Sequence, residues 1–212
     1  LNRRPFIKKL LATSGATLLA AQAPMLYNCL GIENNDKLGI ALVGLGYYCK
    51  NQLAPSLLET KHCYLSAIVT GTKEKKAIWS NKYNIKKENI YNYQNFDDII
   101  NNDDVDIVYI VLPNSMHAEY TIRAAKAGKH VICEKPMATS AADCRKMIAA
   151  CNKANVMLSI GYRLHFDPLN GYMMELGQNK IFGDINVESG FGFTLKDPSK
   201  WRLQKSLSGG GQ

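Results

Sequence analysis

From Asp36 onward, short apolar runs alternate with longer segments rich in helix-forming residues. The run over 38–43 (Leu-Gly-Ile-Ala-Leu-Val) has no polar interruption, the pattern of a strand covered on both faces in a parallel sheet. Residues 51–58 read as the helix after it. A second strand is predicted over 64–69 and its helix over 73–83. Residues 90–93 give a short third strand and 96–100 a helical turn. The β-branched run 105–112 predicts a fourth strand, followed by a helix over 117–127 that Gly128 stops. Residues 130–133 make a fifth strand, 140–154 a helix and 156–160 a sixth strand. Such regular alternation predicts right-handed βαβ units and an α/β fold with a doubly wound parallel sheet.

The turn after the first strand carries the first chemical signal. It reads Gly44-Leu45-Gly46-Tyr47-Tyr48-Cys49. Two glycines let the main chain bend sharply and approach a ligand, and the following helix start offers free N–H groups to a phosphate. This is the dinucleotide-binding turn of a Rossmann-type unit, with Cys49 where the third glycine stands. A glycine pair after a strand is also a common plain turn, so the other strand ends decide. Thr70-Gly71-Thr72 follows the second strand, and Pro113-Asn114-Ser115-Met116-His117 the fourth. Glu134-Lys135-Pro136 follows the fifth and Gly161-Tyr162-Arg163 the sixth. Ligands of such sheets lie outside the carboxyl ends of the strands. Polar and ionisable residues therefore gather along the one rim where a dinucleotide would lie.

The second strand end bears on which dinucleotide. An NAD site places an Asp or Glu about 20 residues after the glycine turn, on the ribose 2′-hydroxyl. Here the strand runs into Thr70, Gly71 and Thr72, with Lys73, Lys75 and Lys76 close behind. A 2′-phosphate would be repelled by a carboxylate and held by hydroxyls and an ammonium, so NADP is expected, with NAD as the alternative. Lysines on a helix are also an ordinary solvated face. In Glu134-Lys135-Pro136, the proline biases Lys135 away from helical geometry, and an X-Pro bond in a tight turn is open to the cis form. A lysine fixed beside a cationic nicotinamide would help to move a proton; a surface lysine before a turn proline is the plainer reading.

Composition adds limits. The chain has 212 residues, 46% hydrophobic, and a net charge of +8 from 26 Lys and Arg against 18 Asp and Glu. The cations are dispersed beyond the first residues, without the interleaved aromatics of a nucleic-acid groove, so a soluble protein that binds small anions is expected. Six cysteines form no C-x-x-C pair and no His stands at ligand spacing beside them, which argues against a metal site. Cys133, inside the fifth strand, reads as a small core residue.

The N-terminus holds Arg3-Arg4-Pro5-Phe6, a basic flank at Lys8 and Lys9, and a modest apolar stretch over 10–23. That stretch is too short and polar for a stable membrane span. Paired arginines with this flank resemble a twin-arginine export signal, which predicts a periplasmic or otherwise exported protein; an amphipathic helix of a cytoplasmic protein is the alternative.

Five ordered motifs extend the picture. Val43-Gly44-Leu45-Gly46, Leu112-Pro113-Asn114-Ser115-Met116-His117, Ala127-Gly128-Lys129-His130-Val131, Glu134-Lys135-Pro136-Met137-Ala138 and Gly161-Tyr162-Arg163 together resemble the glucose–fructose oxidoreductase and inositol 2-dehydrogenase family. Tyr47, Asn51-Gln52, Thr70-Gly71 and Trp201-Arg202-Leu203 bring the likeness nearest to its glucose–fructose oxidoreductase branch. The resemblance implies hydride transfer between a sugar or polyol carbon and NADP, a homo-oligomer, and an N-terminal arm within residues 1–35; an NAD-dependent glycoside hydrolase of the same family and a non-catalytic NADP-binding or sensor protein are the alternatives. It implies a Rossmann domain over 36–161 and, over 162–212, the opening of an α+β substrate and oligomerisation domain whose first strand runs over 182–194. By position, Gly44, Gly46 and Tyr47 would lie along the pyrophosphate, with Thr70, Gly71 and Lys75 near the 2′-phosphate. Leu112, Pro113, Asn114 and His117 would line the nicotinamide side, and Glu134 and Lys135 the nicotinamide ribose and substrate. Tyr162, Arg163, Trp201 and Arg202 would face the sugar, with Lys135 and Tyr162 as the catalytic candidates. The family's catalytic Asp, with a His or Tyr four residues on, would follow Gln212, so no turnover is expected of this segment alone.

Overall fold

The computed structural model describes residues 37–184, 197 and 199–210. Six parallel strands make one sheet in the order β3-β2-β1-β4-β5-β6. These are β1 (Leu38–Val43), β2 (Cys63–Val69), β3 (Ile90–Tyr91), β4 (Ile107–Ile110), β5 (His130–Cys133) and β6 (Leu158–Ile160). The helices between them are α1 (Ala54–Glu59), α2 (Lys73–Tyr83), α3 (His117–Lys126) and α4 (Ala141–Ala154), followed by α5 (Pro168–Gln178) and the short α6 (Lys205–Ser208). The doubly wound Rossmann-type sheet expected from the alternation is present. The strand order reverses between β1 and β4, and a crevice opens there at the carboxyl ends.

Burial on both sheet faces explains the unbroken apolar runs. Ala41, Val43, Ala67, Val69, Val108, Ile110, Val131 and Cys133 pack on one side with Met147 and Cys151 of α4. Ile40, Leu42 and Ile68 pack on the other with Trp79 of α2 and Cys49. Adjacent residues thus enter opposite cores, as the period of two requires. Cys133 is wholly buried, as expected. Five cysteines are free among the described residues, and Cys29 lies outside them.

The strands differ from the apolar pattern in length. β4 spans only Ile107–Ile110 of the run over 105–112, because Val105 is buried as core before the ladder starts and Val111 leaves it after one bond to the Val43 carbonyl. β3 ends at Tyr91 because the Asn92 N–H turns to the Asn95 side chain at 2.7 Å, and β6 starts late because Val156 packs on the core without joining the ladder. The first helix holds a larger surprise. A π-helical turn over Cys49–Leu53 precedes α1, with the Ala54 N–H bonding back five residues to the Cys49 carbonyl. Pro55 follows, and it has no N–H to give to the preceding turn, which favours a widened register there.

Phe182, Gly183 and Asp184, expected to open a strand, form a turn; the rest of that strand, over 185–194, lies outside the described residues. The N-terminal segment 1–35, read as an export signal and arm, also lies outside them. No described helix is long and apolar enough to cross a membrane.

At the amino end of the sheet, Gly39 and Asp104 lock β1 to the loop before β4. A Cβ on Gly39 would run into the Asp104 carbonyl oxygen, and the Gly39 N–H donates to Asp106 at 2.9 Å. The Asp104 carboxylate accepts from Lys86 at 2.7 Å and Asn89 at 3.0 Å. The Lys86 hydrogen bond, then that of Asn89, holds this carboxyl below the usual range. A lowered carboxylate stabilises the fold above its ordinary pKa of about 3.9, and that contribution is lost as pH falls through the lowered value. Urea unfolding of Asp104→Asn is therefore expected to depend less on pH below about 4 than that of the parent; parallel pH profiles would contradict this role.

Candidate functional site

A cavity of about 1140 Å³ opens at the carboxyl ends of the strands. That exceeds the roughly 300–1,000 Å³ of most small-ligand pockets and suits a dinucleotide with a second molecule. Of the residues singled out from the sequence, all but His117 line it.

The glycine turn forms one wall. Gly44 has φ of 91°, and a Cβ there would stand 2.5 Å from the Val111 carbonyl oxygen, so only glycine fits. Gly46 has nothing within 4 Å of where its Cβ would be, which leaves room for another molecule against the main chain. The helix begins with the Lys50 N–H bonded to the Gly46 carbonyl at 3.0 Å, so the N–H groups before it are those a helix leaves without internal partners. An open glycine beside a helix start fits a pyrophosphate. Cys49 points into the core instead, and burial pushes its thiol up to about 12, so it is not a nucleophile near neutral pH.

At the end of β2, Thr70 is buried and its hydroxyl accepts the Thr72 N–H at 3.3 Å. The Lys75 ammonium donates to the Leu45 carbonyl at 2.9 Å, so α2 is fastened to the glycine turn and its cation stands at the cavity edge. Gly71 lies over the ring of Tyr93, where a Cβ would stand 3.3 Å away. Tyr93 also lines the cavity and was not anticipated. It packs edge-on to Tyr120, and the Arg123 guanidinium lies beside the Tyr120 and Phe96 rings at 4.8 and 4.9 Å. Arg123 in turn pairs with Asp97 at 2.9 Å, tying the loop after β3 to α3.

Leu112, Pro113 and Asn114 continue the wall after β4. Asn114 is buried, and its amide donates to the Ser208 carbonyl at 2.8 Å, across 94 residues of sequence. The same segment is seated by Gly209, whose φ of 86° brings it against Thr139. His117 is removed from the wall. It is 1% exposed, with Nδ1 at 2.8 Å from the Pro136 carbonyl and Nε2 at 2.9 Å from the Leu112 carbonyl. Each ring nitrogen faces a main-chain carbonyl, and the one that carries the proton donates to its partner, so His117 braces the rim from behind instead of facing the cavity.

Beyond β5, the Lys135–Pro136 peptide is cis and the Lys135 side chain is exposed at the cavity. Glu134 accepts the Tyr109 hydroxyl at 2.9 Å and the Lys135 main-chain N–H at 3.2 Å. Gly161 gives it room: a Cβ there would stand 3.0 Å from the Glu134 carboxylate. Burial, then the Glu134 charge, raises the Tyr109 phenol, and the same two causes raise Tyr48 against an opposing pull from Arg163. Tyr162, Arg163, Trp201 and Arg202 also line the cavity, with the Arg202 guanidinium 4.7 Å above the Trp201 ring. The sequence reading missed Tyr48, Tyr93 and Tyr109. Only Tyr109 carried a usable signal, since a phenol inside a β-branched strand must find a partner for its hydroxyl.

Comparison with known proteins gives the family. The model of the Gfo/Idh/MocA family, described as an oxidoreductase family with an NAD-binding Rossmann fold, matches residues 38–162, and the chain belongs to that family. A D-xylose 1-dehydrogenase (NADP+) of Haloarcula marismortui is 30% identical over 80% of this chain and 48% of its own length. A 2,7-anhydro-N-acetylneuraminate hydratase of Escherichia coli is 34% identical over 61% of this chain and 36% of its own. The crystal structure of an aldose-aldose oxidoreductase from Caulobacter crescentus, complexed with glycerol, superposes with a TM-score of 0.76 at 46% identity. It covers 82% of this chain and 52% of that one. The chain thus spans about half the length of the xylose dehydrogenase and of the aldose-aldose oxidoreductase, and 36% of the hydratase.

The Asn114 link to Ser208 predicts a local effect. Asn114→Ala leaves a buried carbonyl without its donor, a loss of about 1–3 kcal/mol, and should loosen the segment that carries Trp201. Trp79 is buried in the core, so acrylamide quenching reports mainly on Trp201. Quenching should rise in the variant while the far-ultraviolet circular dichroism stays unchanged; unchanged quenching would contradict the link.

Proposed function

We propose that this chain carries the NADP-binding part of a sugar oxidoreductase, which moves hydride between a hydroxyl-bearing carbon of a sugar or cyclitol and the nicotinamide. The end of β2 carries the reading: no carboxylate stands there, and Thr70, Thr72 and the Lys75 ammonium border the cavity instead. A carboxylate would favour a free 2′-hydroxyl, whereas hydroxyls and a cation favour a 2′-phosphate. The NADP-linked relative supports the same choice. In this reading Gly44, Gly46 and Tyr47 follow the pyrophosphate, and Glu134 accepts hydroxyl groups of the nicotinamide ribose. Bound here, the nicotinamide supplies or accepts the hydride.

Lys135 is the chain's own chemical group at the cavity. Its ammonium donates a hydrogen bond to the reacting sugar oxygen and favours negative charge on it. Tyr162, Arg163, Trp201 and Arg202 provide aromatic faces and guanidinium donors for a polyhydroxylated substrate. Arg3, Arg4 and Phe6 support export by the twin-arginine route as part of the proposal. A second reading, cleavage of a glycoside through transient oxidation, is favoured by the name of the hydratase relative. It predicts release of a free sugar with no net change in cofactor redox state.

Titration of the purified protein with NADP+ and NAD+ tests the cofactor. NADP+ should bind more tightly, and Lys75→Glu should weaken NADP+ by about tenfold or more while affecting NAD+ less. Tighter binding of NAD+ by the parent would overturn the choice. In the whole oxidoreductase of which this chain is proposed to be a part, Lys135→Ala should slow hydride transfer in single turnover by about 10²–10⁴-fold with little change in NADP+ affinity. An equal loss of both would argue against its role in proton transfer.

A further inference from the structure

Tyr109 stands in the middle of β4, between apolar neighbours. Its register partner on β5 is Ile132, so Glu134 lies two residues further along on the same face of the sheet. Ile107, Tyr109 and Val111 pack against the core that contains Ile40, Leu42 and Trp79, so the phenol ring is held by packing and its hydroxyl reaches the rim. That hydroxyl donates to Glu134 Oε1 at 2.9 Å. The other oxygen, Oε2, takes the Lys135 main-chain N–H at 3.2 Å. Gly161 closes the third side, with no Cβ to displace the carboxylate. Each oxygen has one protein donor and keeps further acceptor capacity on the cavity side. Two donors and a glycine wall therefore fix where a hydroxyl-bearing ligand can give its hydrogen bonds.

We infer that Tyr109 is a positioning residue: through Glu134 it sets the nicotinamide ribose, and with it the reacting end of the dinucleotide, relative to Lys135. The inference rests on the proposed cofactor reading. It separates two halves of the ligand, because the adenosine end lies at Thr70 and Lys75 on the far side of β1 from Tyr109. Loss of the phenol hydroxyl leaves the ring packing intact and Glu134 Oε1 without its donor. The adenosine end should not register the change.

The test uses Tyr109→Phe in the purified protein and two ligands. NADPH carries both ends, whereas adenosine 2′,5′-bisphosphate carries the 2′-phosphate but no nicotinamide ribose. Dissociation constants for NADPH, followed by its fluorescence, should rise by about tenfold, the worth of one hydrogen bond to a charged group. Those for adenosine 2′,5′-bisphosphate should change by less than about twofold. In a Glu134→Ala background, Tyr109→Phe should add less than about twofold to the NADPH loss, since the two residues act as one. Equal weakening of both ligands would mark a general structural role and overturn the inference, as would unchanged NADPH binding or full additivity with Glu134→Ala. Failure of the parent to bind either ligand would overturn the proposed function, and the role of Tyr109 with it.

Discussion

The carboxyl rim depends on how closely the main chain of Gly44 meets that of Val111. A Cβ on Gly44 would stand 2.5 Å from the Val111 carbonyl oxygen, so a side chain there would push β1 away from β4. At the same point the Gly44 N–H bonds to the Val69 carbonyl at 3.1 Å, and the Val111 N–H bonds to the Val43 carbonyl at 2.8 Å. Three strand ends are thereby held within two residues of one glycine. This is also where the strand order turns back, so the chain leaves β1 toward one edge and reaches β4 on its other side. The crevice, the approach to Gly46 and the seat of Lys75 against Leu45 all follow from that contact.

Much of this was legible in the sequence, for identifiable physical reasons. The helix over 73–83 and the strand over 130–133 match residue for residue, because their ends are set locally: Asn84 takes a left-handed conformation after α2, and Gly128 does so shortly before β5. The rim residues were legible because a parallel sheet places every strand's carboxyl end on one edge. The π-helical turn at Cys49–Leu53 was not, since apolar content does not register one extra residue in a turn. Strand ends were overread where apolar side chains such as Val105 serve the core without joining the ladder.

The positions missed or misassigned share a cause of another kind. His117 carries a polar ring beside the rim, and its type suggested a ligand contact. Its partners are carbonyls of Leu112 and Pro136, a commitment no local pattern reveals. Asn114 was placed on the cavity correctly, but its amide also spans 94 residues to Ser208. Such pairs depend on the packed fold, and the sequence shows only that a polar group is present.

The two sides of the cavity are therefore built differently. Around Thr70 and Lys75 the wall comes from the stretch between the glycine turn and the start of α2, closed by one lysine–carbonyl bond, with Tyr93 laid against Gly71. Around Glu134 it comes from four separated segments, and three side chains of one of them bond to two others: Tyr109 to Glu134, His117 to Pro136, Asn114 to Ser208. A substitution in the first side alters the lining where it stands. In the second, loss of one of these bonds frees a segment, so the lining can be altered from Tyr109 and His117, which do not border the cavity. The glycine turn itself is fixed by the approach of Gly44 to Val111.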